Sequence, residues 1–118
     1  MITVYGLKNC DTCRIALKWL AAENIAHTFK DVRKDGVSED DIRRWLKELG
    51  PDTLVNRRGT TWRQLDEMEK LVSSDDDLIQ LLLKHPALIK RPVFEAGDAV
   101  IVGFKDEQKT AVKDLMAR

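Results

Sequence analysis

The sequence predicts a single α/β domain, residues 1–118, in which a helical block interrupts a mixed β-sheet. Three observations support this prediction. The chain opens with a strand, an amphipathic helix and a second strand, an order typical of a β-α-β unit. Several helices follow with no strand between them, and a β-hairpin and a helix close the chain. Because a β-α-β unit is parallel and a hairpin is antiparallel, the sheet must contain both kinds of pairing.

The opening β-α-β unit is predicted from local apolar patterns. The β-branched and aromatic run at residues 2–5 stops at Gly6 and is typical of a short buried strand. The first helix begins at about Thr12 and ends near Asn24, because apolar residues recur there at helical spacing. These apolar residues are Ile15, Ala16, Trp19 and Leu20. Residues 27–32 form the second predicted strand.

The middle of the chain is predicted to be helical, with residues 36–88 as an inserted subdomain. Ser38 starts a helix as a capping residue, and Gly50 followed by Pro51 ends it. The apolar face of that helix holds Ile42, Trp45, Leu46 and Leu49.

Two shorter helices are predicted within the same block. Thr61 starts the first, which carries Leu65 and Met68. Ser74 starts the second, which ends at Pro86.

Strand character returns near the end of the chain. The apolar runs at residues 92–94 and 100–102 flank Gly97 and Asp98, which predicts a β-hairpin. Asp106 is the predicted N-cap of a final helix.

Composition excludes several classes of function. The chain has 20 basic and 20 acidic residues, so it has no basic excess for nucleic-acid binding. Neither a signal-peptide pattern nor an apolar run of membrane-spanning length is present, so we expect a cytoplasmic protein without a membrane partner. Because cytoplasmic thiols stay reduced, a cysteine pair there is typical of catalysis or metal binding.

Both cysteines lie in one motif, Cys10-Asp11-Thr12-Cys13, where the first strand gives way to the first helix. A helix N-terminus offers unpaired backbone N–H groups and partial positive charge, which stabilise a thiolate. Cys10 is the predicted nucleophile because those groups converge on it. Cys13 lies one turn later and can attack a mixed disulfide at Cys10. Lys8 and Arg14 flank the motif and can add positive charge.

The cysteine pair allows two other interpretations. Half of a zinc site would need two more ligands, for which the chain offers only His27 and His85, neither of them in a ligand motif. Two inert packing cysteines are the second alternative, since free cysteine is often buried. The position of the motif after a strand and within a β-α-β pattern favours redox chemistry.

Several cations are candidates for binding an anionic substrate through a carboxylate or an oxyanion. They are Arg14, Arg57, Arg58, Arg63 and Arg91. From the residues alone, Pro92 is either an ordinary proline at the start of a strand, which is the favoured interpretation, or a cis proline beside the first helix.

Four stretches of the sequence together resemble a known family. They are Tyr-Gly-Leu-Lys-Asn-Cys-Asp-Thr at 5–12, Asn-Arg-Arg-Gly-Thr-Thr-Trp-Arg at 56–63, Lys-Arg-Pro at 90–92 and Val-Gly-Phe at 102–104. They resemble the arsenate reductase-like (ArsC/Spx) family, and within it the YffB-type branch, over essentially the whole chain. The resemblance implies a thioredoxin-like fold with a mixed four-stranded sheet and an inserted helical subdomain.

The resemblance also implies roles for individual residues. The family's nucleophilic cysteine corresponds to Cys10, and a cis proline facing it corresponds to Pro92. One family arginine corresponds to Arg91, and another to either Arg57 or Arg58.

The function that the resemblance favours is glutathione-dependent thiol–disulfide reduction. Glutathione is then a co-substrate, the partner is glutathione or a glutathionylated thiol, and neither a metal nor a bound cofactor is needed. One alternative is arsenate reduction, for which family members carry a third arginine that residues 100–104 lack, and a serine where this chain has Cys13. The other is an Spx-like redox-sensing regulator that binds the RNA polymerase α subunit.

Overall fold

The computed structural model describes residues 1–117, which form two compact units. The first unit consists of Met1–Asp35 together with residues 91–117. The second unit is Gly36–Lys90. Both ends of the helical block therefore join the chain segments that build the sheet.

The first unit contains a four-stranded sheet. Its strands are β1 (Ile2–Gly6), β2 (His27–Asp31), β3 (Val93–Ala96) and β4 (Ala99–Val102), in the order β2-β1-β3-β4. β1 pairs in parallel with β2 and antiparallel with β3, while β3 and β4 form an antiparallel hairpin. This confirms the predicted α/β class with a mixed four-stranded sheet.

Two helices, α1 (Asp11–Ala22) and α7 (Asp106–Met116), complete the first unit. Residues of β1, α1, β3 and α7 meet in one buried core. They are Ile2, Val4, Ala16, Leu20, Phe94 and Val112. This packing fixes the end of β1 against the start of α1, where the cysteine motif lies.

Two details of the helices differ from the sequence prediction. Ile15 is 58% exposed, because the buried face of α1 follows the spacing of Cys13, Ala16 and Leu20. The N-cap of α7 is Lys105 rather than Asp106, and the Gln108 side chain accepts a hydrogen bond from the Lys105 backbone N–H at 2.9 Å.

The second unit is built from helices. They are α2 (Glu39–Leu49), α3 (Pro51–Leu54), α4 (Thr60–Arg63), α5 (Glu67–Lys70) and α6 (Asp75–Lys84), followed by a 3-10 turn at Pro86–Leu88. Ser38 caps α2 and Ser74 caps α6, each accepting a hydrogen bond from the backbone N–H three residues later. Trp45 lies fully buried in this unit.

The short helix predicted from Thr61 is two separate helices in the structure, α4 and α5. Asp66 caps α5 by accepting a hydrogen bond from the Glu69 backbone N–H at 2.7 Å. Met68, on α5, is 81% exposed, whereas Leu65, which lies between the two helices, is buried. No helix within residues 1–117 has the length and apolar character that crossing a membrane requires.

Candidate active site

Cys10 lies at the junction between β1 and α1. It is the N-cap of α1 and has extended backbone angles, φ −94° and ψ 122°. Its backbone N–H donates to the Leu7 carbonyl at 3.1 Å, and its carbonyl accepts from the Arg14 N–H at 3.0 Å. The tight turn that precedes the helix therefore holds Cys10 at the N-terminus of α1, where its side chain is half-buried.

The surroundings of Cys10 favour its ionised form. Burial raises the pKa of this thiol, but hydrogen bonds to its sulfur outweigh burial and the net pKa is lowered. The donors are the Cys13 backbone N–H, the Arg91 side chain and the Cys13 thiol, and the positive charge of Arg91 adds to them. A lowered pKa makes a cysteine a better nucleophile at neutral pH because more of it is thiolate.

The stabilising cation at Cys10 is distant in sequence. Lys8 and Arg14 were the expected sources of positive charge, but the guanidinium that bonds to the sulfur belongs to Arg91. Arg14 forms an ion pair with Asp11 at 2.7 Å, and both side chains are largely exposed. Arg91 is therefore the arginine that the structure brings to the thiol.

Cys13 has a different environment from Cys10. Its side chain is only 1% exposed, and burial raises its pKa to about 11, despite a hydrogen bond from the Leu7 backbone that lowers it. The adjacent Cys10 raises the pKa further, because ionising both thiols would place two negative charges together. Cys13 is thus a neutral hydrogen-bond donor to the Cys10 sulfur at neutral pH.

Gly6 makes room for the Cys13 sulfur. A Cβ atom added at Gly6 would lie 2.5 Å from Cys13 Sγ and 3.4 Å from a ring carbon of Phe29. The glycine that ends β1 therefore permits the buried thiol to pack against the strand.

Asp31 anchors the loop that leads to Cys10. This residue ends β2 and is 8% exposed. Its Oδ2 accepts from the Lys8 backbone N–H at 2.9 Å, and its Oδ1 accepts from the N–H groups of Arg33 and Lys34 at 2.8 Å each. These bonds, led by the one from Lys34, lower the pKa of the Asp31 carboxyl. Asp31 is a positioning residue that sequence reasoning missed.

Replacing Asp31 with asparagine is expected to lower the free energy of unfolding by about 1–3 kcal/mol. One carboxylate oxygen becomes an NH₂ group, which cannot accept a hydrogen bond. At least one amide among Lys8, Arg33 and Lys34 should then lose protection from hydrogen exchange. The Val32 amide, which donates to the Gly6 carbonyl at 2.9 Å, should keep its protection.

The matched control for this prediction is Asp98→Asn, which changes an exposed carboxyl in the β3–β4 turn. Its unfolding free energy should stay within about 0.5 kcal/mol of wild type. Equal stability of the Asp31 and Asp98 variants would contradict the anchoring role.

The peptide bond between Arg91 and Pro92 is cis, as the family resemblance implied. Pro92 is buried, and its carbonyl accepts from the Gly103 backbone N–H at 2.9 Å. Gly103 has φ +98°, a value that favours glycine. The Val-Gly-Phe motif after β4 thus supports the proline beside Arg91.

Arg57 and Arg58 belong to the second unit. The Arg57 guanidinium bonds to Asp52 Oδ1 at 2.8 Å and lies over the Trp62 ring, 5.6 Å from its centroid. Arg58 is exposed, and with Arg57 and Lys90 it lines a cavity of about 510 Å³. Both arginines remain candidates for anion binding.

Metal ligands do not cluster in the part of the chain that the structure describes. Within residues 1–117, no three side chains of histidine, cysteine, aspartate or glutamate converge as a metal ion would require. His27 Nδ1 bonds to the Ile25 carbonyl at 2.8 Å, and His85 Nε2 bonds to Glu69 at 2.8 Å.

Known proteins resemble this chain over nearly its whole length. The ArsC family model matches residues 5–112. An uncharacterised protein of Haemophilus influenzae is 43% identical, over 94% of this chain and 97% of the relative. The solved structure of a YffB protein superposes with a TM-score of 0.88 at 40% identity, covering 94% of this chain and 97% of the other.

Two further similarities bear on function. An arsenate reductase (ArsC) related protein from Brucella melitensis has a TM-score of 0.74 at 39% identity, covering 93% of this chain and 92% of the other. A global transcriptional regulator, Spx 2 of Bacillus anthracis, is 27% identical over 92% of this chain and 83% of its own length. The fold is therefore that of the arsenate reductase-like, thioredoxin-fold proteins.

Proposed function

The chain belongs to the ArsC family, and we propose that it is a glutathione-dependent thiol–disulfide reductase whose nucleophile is Cys10. The observation that supports this most strongly is the set of donors around one half-buried sulfur. A backbone N–H, a thiol and a guanidinium all stabilise the Cys10 thiolate. Such an arrangement suits attack on another sulfur.

The proposed reaction has two displacement steps. The Cys10 thiolate attacks the glutathione sulfur of a mixed disulfide, a new S–S bond forms, and the substrate leaves as a thiolate that takes up a proton. A second glutathione thiolate then attacks the Cys10–glutathione disulfide. This step releases oxidised glutathione and restores the Cys10 thiolate, so one reduced glutathione is consumed for each mixed disulfide reduced.

Cys13 has a supporting role in this scheme. In the resting protein, burial and the adjacent Cys10 raise the pKa of Cys13 to about 11, so Cys13 is a neutral thiol there at pH 7. Its thiol instead donates to the Cys10 sulfur. Resolution of the mixed disulfide by Cys13 is the alternative, and the two routes differ in their need for a sulfur atom at position 13.

Turnover of the mixed disulfide of glutathione and 2-mercaptoethanol tests the proposal. In the presence of reduced glutathione, glutathione reductase uses NADPH to reduce the oxidised glutathione that the reaction releases. The rate of NADPH oxidation should therefore rise in proportion to the concentration of the wild-type protein. Cys13→Ser should lower kcat by less than about tenfold, because a serine hydroxyl still donates to the Cys10 sulfur and glutathione still resolves the disulfide.

Two results would count against this scheme. No turnover by the wild-type protein would remove glutathione-dependent reduction. A loss of more than about a hundredfold in Cys13→Ser, with unchanged thermal stability, would make Cys13 the resolving thiol.

The substrate contacts are part of the proposal. The Arg91 guanidinium and the backbone beside Pro92 are proposed to bind the glutathione part of the substrate. That Arg57 or Arg58 binds one of its carboxylates, and that Arg14 contributes, are further predictions from the sequence. Each arginine can be replaced in turn by glutamine and KM measured for the mixed disulfide. An increase in KM identifies an arginine that binds the substrate.

A redox-sensing regulator is the second candidate, favoured by the similarity to Spx 2 and by the two adjacent thiols. Under this alternative, the chain binds the RNA polymerase α subunit in a manner that depends on oxidation of Cys10 and Cys13. Pull-down with purified α subunit, under oxidising and reducing conditions, tests it. Absence of binding in both states would remove the regulator function.

Arsenate reduction is the third candidate, favoured by the similarity to the Brucella melitensis protein. The Cys10 thiolate would then attack arsenic rather than sulfur. Arsenate turnover with glutathione and glutaredoxin present tests it. We expect little turnover, because residues 100–104 supply no third arginine to neutralise the oxyanion.

A further inference from the structure

A groove in the first unit lies beside the cysteine motif and extends beyond the residues used in the chemistry above. Its volume is about 480 Å³, within the range of ligand sites. The apolar residues that line it are Leu7, Cys13, Leu17 and Phe29. Phe29 comes from β2, an edge strand of the sheet, and Leu17 comes from α1. The groove therefore runs between the edge strand and the helix that carries the motif.

The groove continues into a second cavity beside the cysteine motif. This cavity, of about 430 Å³, shares four lining residues with the first and adds Asn9 and Arg33. The shared residues are Lys8, Arg14, Asp31 and Lys34. Asn9 directly precedes Cys10 in the chain. The groove thus has an apolar part and a charged part, and it adjoins the cysteine motif through Asn9 and through Cys13, whose thiol donates to the Cys10 sulfur.

Positive charge dominates the polar part of the groove. Four cations and two carboxylates line the two cavities, whereas the whole chain has a formal net charge of zero. The Asp31 carboxylate already accepts three backbone hydrogen bonds, and Arg14 is paired with Asp11. Lys8, Arg33 and Lys34 have exposed side chains that can meet an anionic partner.

The dimensions of the groove suit a short extended peptide. Leu17 follows Cys10 by seven positions along α1, which corresponds to about 10 Å of helix. An extended chain covers this distance in about three residues. A peptide with its cysteine at Cys10 would therefore place an apolar side chain near Leu17 and Phe29, with carboxylates within reach of the lysines that line the same groove.

We propose that this groove binds the protein segment that carries the mixed disulfide, selecting acidic residues next to the cysteine and an apolar residue about three positions away. This inference rests on the proposed function. It adds that the preferred substrates are glutathionylated proteins with acidic and apolar neighbours, rather than small disulfides alone.

Binding of a peptide that has serine in place of the reactive cysteine tests the proposal without any turnover. The probe is Phe-Glu-Glu-Ser-Glu-Glu-Phe with a fluorescent label, and its matched control has glutamine for every glutamate. At low ionic strength the acidic peptide should bind at least tenfold more tightly than the amide peptide. Lys34→Glu should weaken binding of the acidic peptide about tenfold. Lys47→Glu, an exposed change on α2, should leave it unchanged.

Turnover gives the second readout. The substrates are the same peptide with a glutathionylated cysteine at its centre and the mixed disulfide of glutathione and 2-mercaptoethanol. The loss of kcat/KM caused by Lys34→Glu should be about tenfold greater for the peptide than for the small disulfide. Equal binding of the acidic and amide peptides, or equal effects of Lys34→Glu and Lys47→Glu, would overturn the docking groove. Failure of the wild type to reduce the small disulfide would overturn the proposed function, while the binding experiment still decides on the groove.

Discussion

Cys10→Ser is expected to lower kcat/KM for a glutathione mixed disulfide by about a thousandfold or more. The serine hydroxyl is not ionised at neutral pH and cannot form the S–S bond on which the reaction depends. Because Cys10 is half-buried and serine differs by one atom, the fold should tolerate the change. The coupled assay with NADPH and glutathione reductase measures the loss directly.

The control for Cys10→Ser is its thermal stability and its circular dichroism, which should match those of wild type within about 2 °C. Cys13→Ser provides the contrast, since the same chemical change three residues later should have a small effect. Turnover by Cys10→Ser at the wild-type rate would show that another group performs the reaction.

Gly6→Ala is expected to lower the free energy of unfolding by about 1–3 kcal/mol. The new methyl group would lie 2.5 Å from Cys13 Sγ, closer than such contacts occur in folded proteins. Neither the β1 backbone nor the Cys13 side chain can move away easily, because β1 pairs with two neighbouring strands and Cys13 is buried in α1. Urea denaturation monitored by tryptophan fluorescence measures the change.

A double-mutant cycle identifies the cause of that loss. Cys13→Ala removes the sulfur, so Gly6→Ala in that background would meet only contacts of 3.4 Å, to the Cβ atom at position 13 and to the Phe29 ring. Gly6→Ala should then cost at least about 1 kcal/mol less than in wild type. Equal costs in the two backgrounds would show that the sulfur is not the obstacle.

Elements of the fold that depend on neighbouring residues could be predicted from the sequence. Ser38 and Ser74 cap their helices through backbone groups three residues away, so a short stretch of sequence contains the whole signal. The same is true of Cys10 at the start of α1, which follows directly from a strand, a short turn and an apolar helical pattern.

Other features depend on residues far apart in the chain. The cation at Cys10 is Arg91, which the turn into β3 brings to the start of α1, so motif spacing alone could not distinguish it from Arg14. The bond from Lys8 to Asp31 also joins two separate strand ends, and an aspartate at the end of a strand has many possible roles. Only the resemblance to a family raised Arg91 above the other arginines.

The bounds of the helices were predicted least well where apolar periodicity is weak. One helix carrying Leu65 and Met68 was predicted from Thr61, but Asp66 starts a new four-residue helix on which Met68 is exposed. A helix this short shows barely one turn of its pattern, so it carries no reliable inner face. Gly6 was interpreted only as a strand end, because its contact with Cys13 depends on how the first helix packs.

The central claim is that the Cys10 thiol has a lowered pKa because Arg91 and the N-terminus of α1 stabilise its thiolate. The most direct test is the rate of iodoacetamide labelling at Cys10 as a function of pH, followed by mass spectrometry to separate it from Cys13. The labelling rate of wild type should reach half its maximum below about pH 8.5, the ordinary value for cysteine. In Arg91→Gln this midpoint should move to higher pH, whereas Lys90→Gln, a change at an exposed neighbour, should leave it in place. A wild-type midpoint at or above about 8.5, or one that Arg91→Gln does not move, would contradict the account.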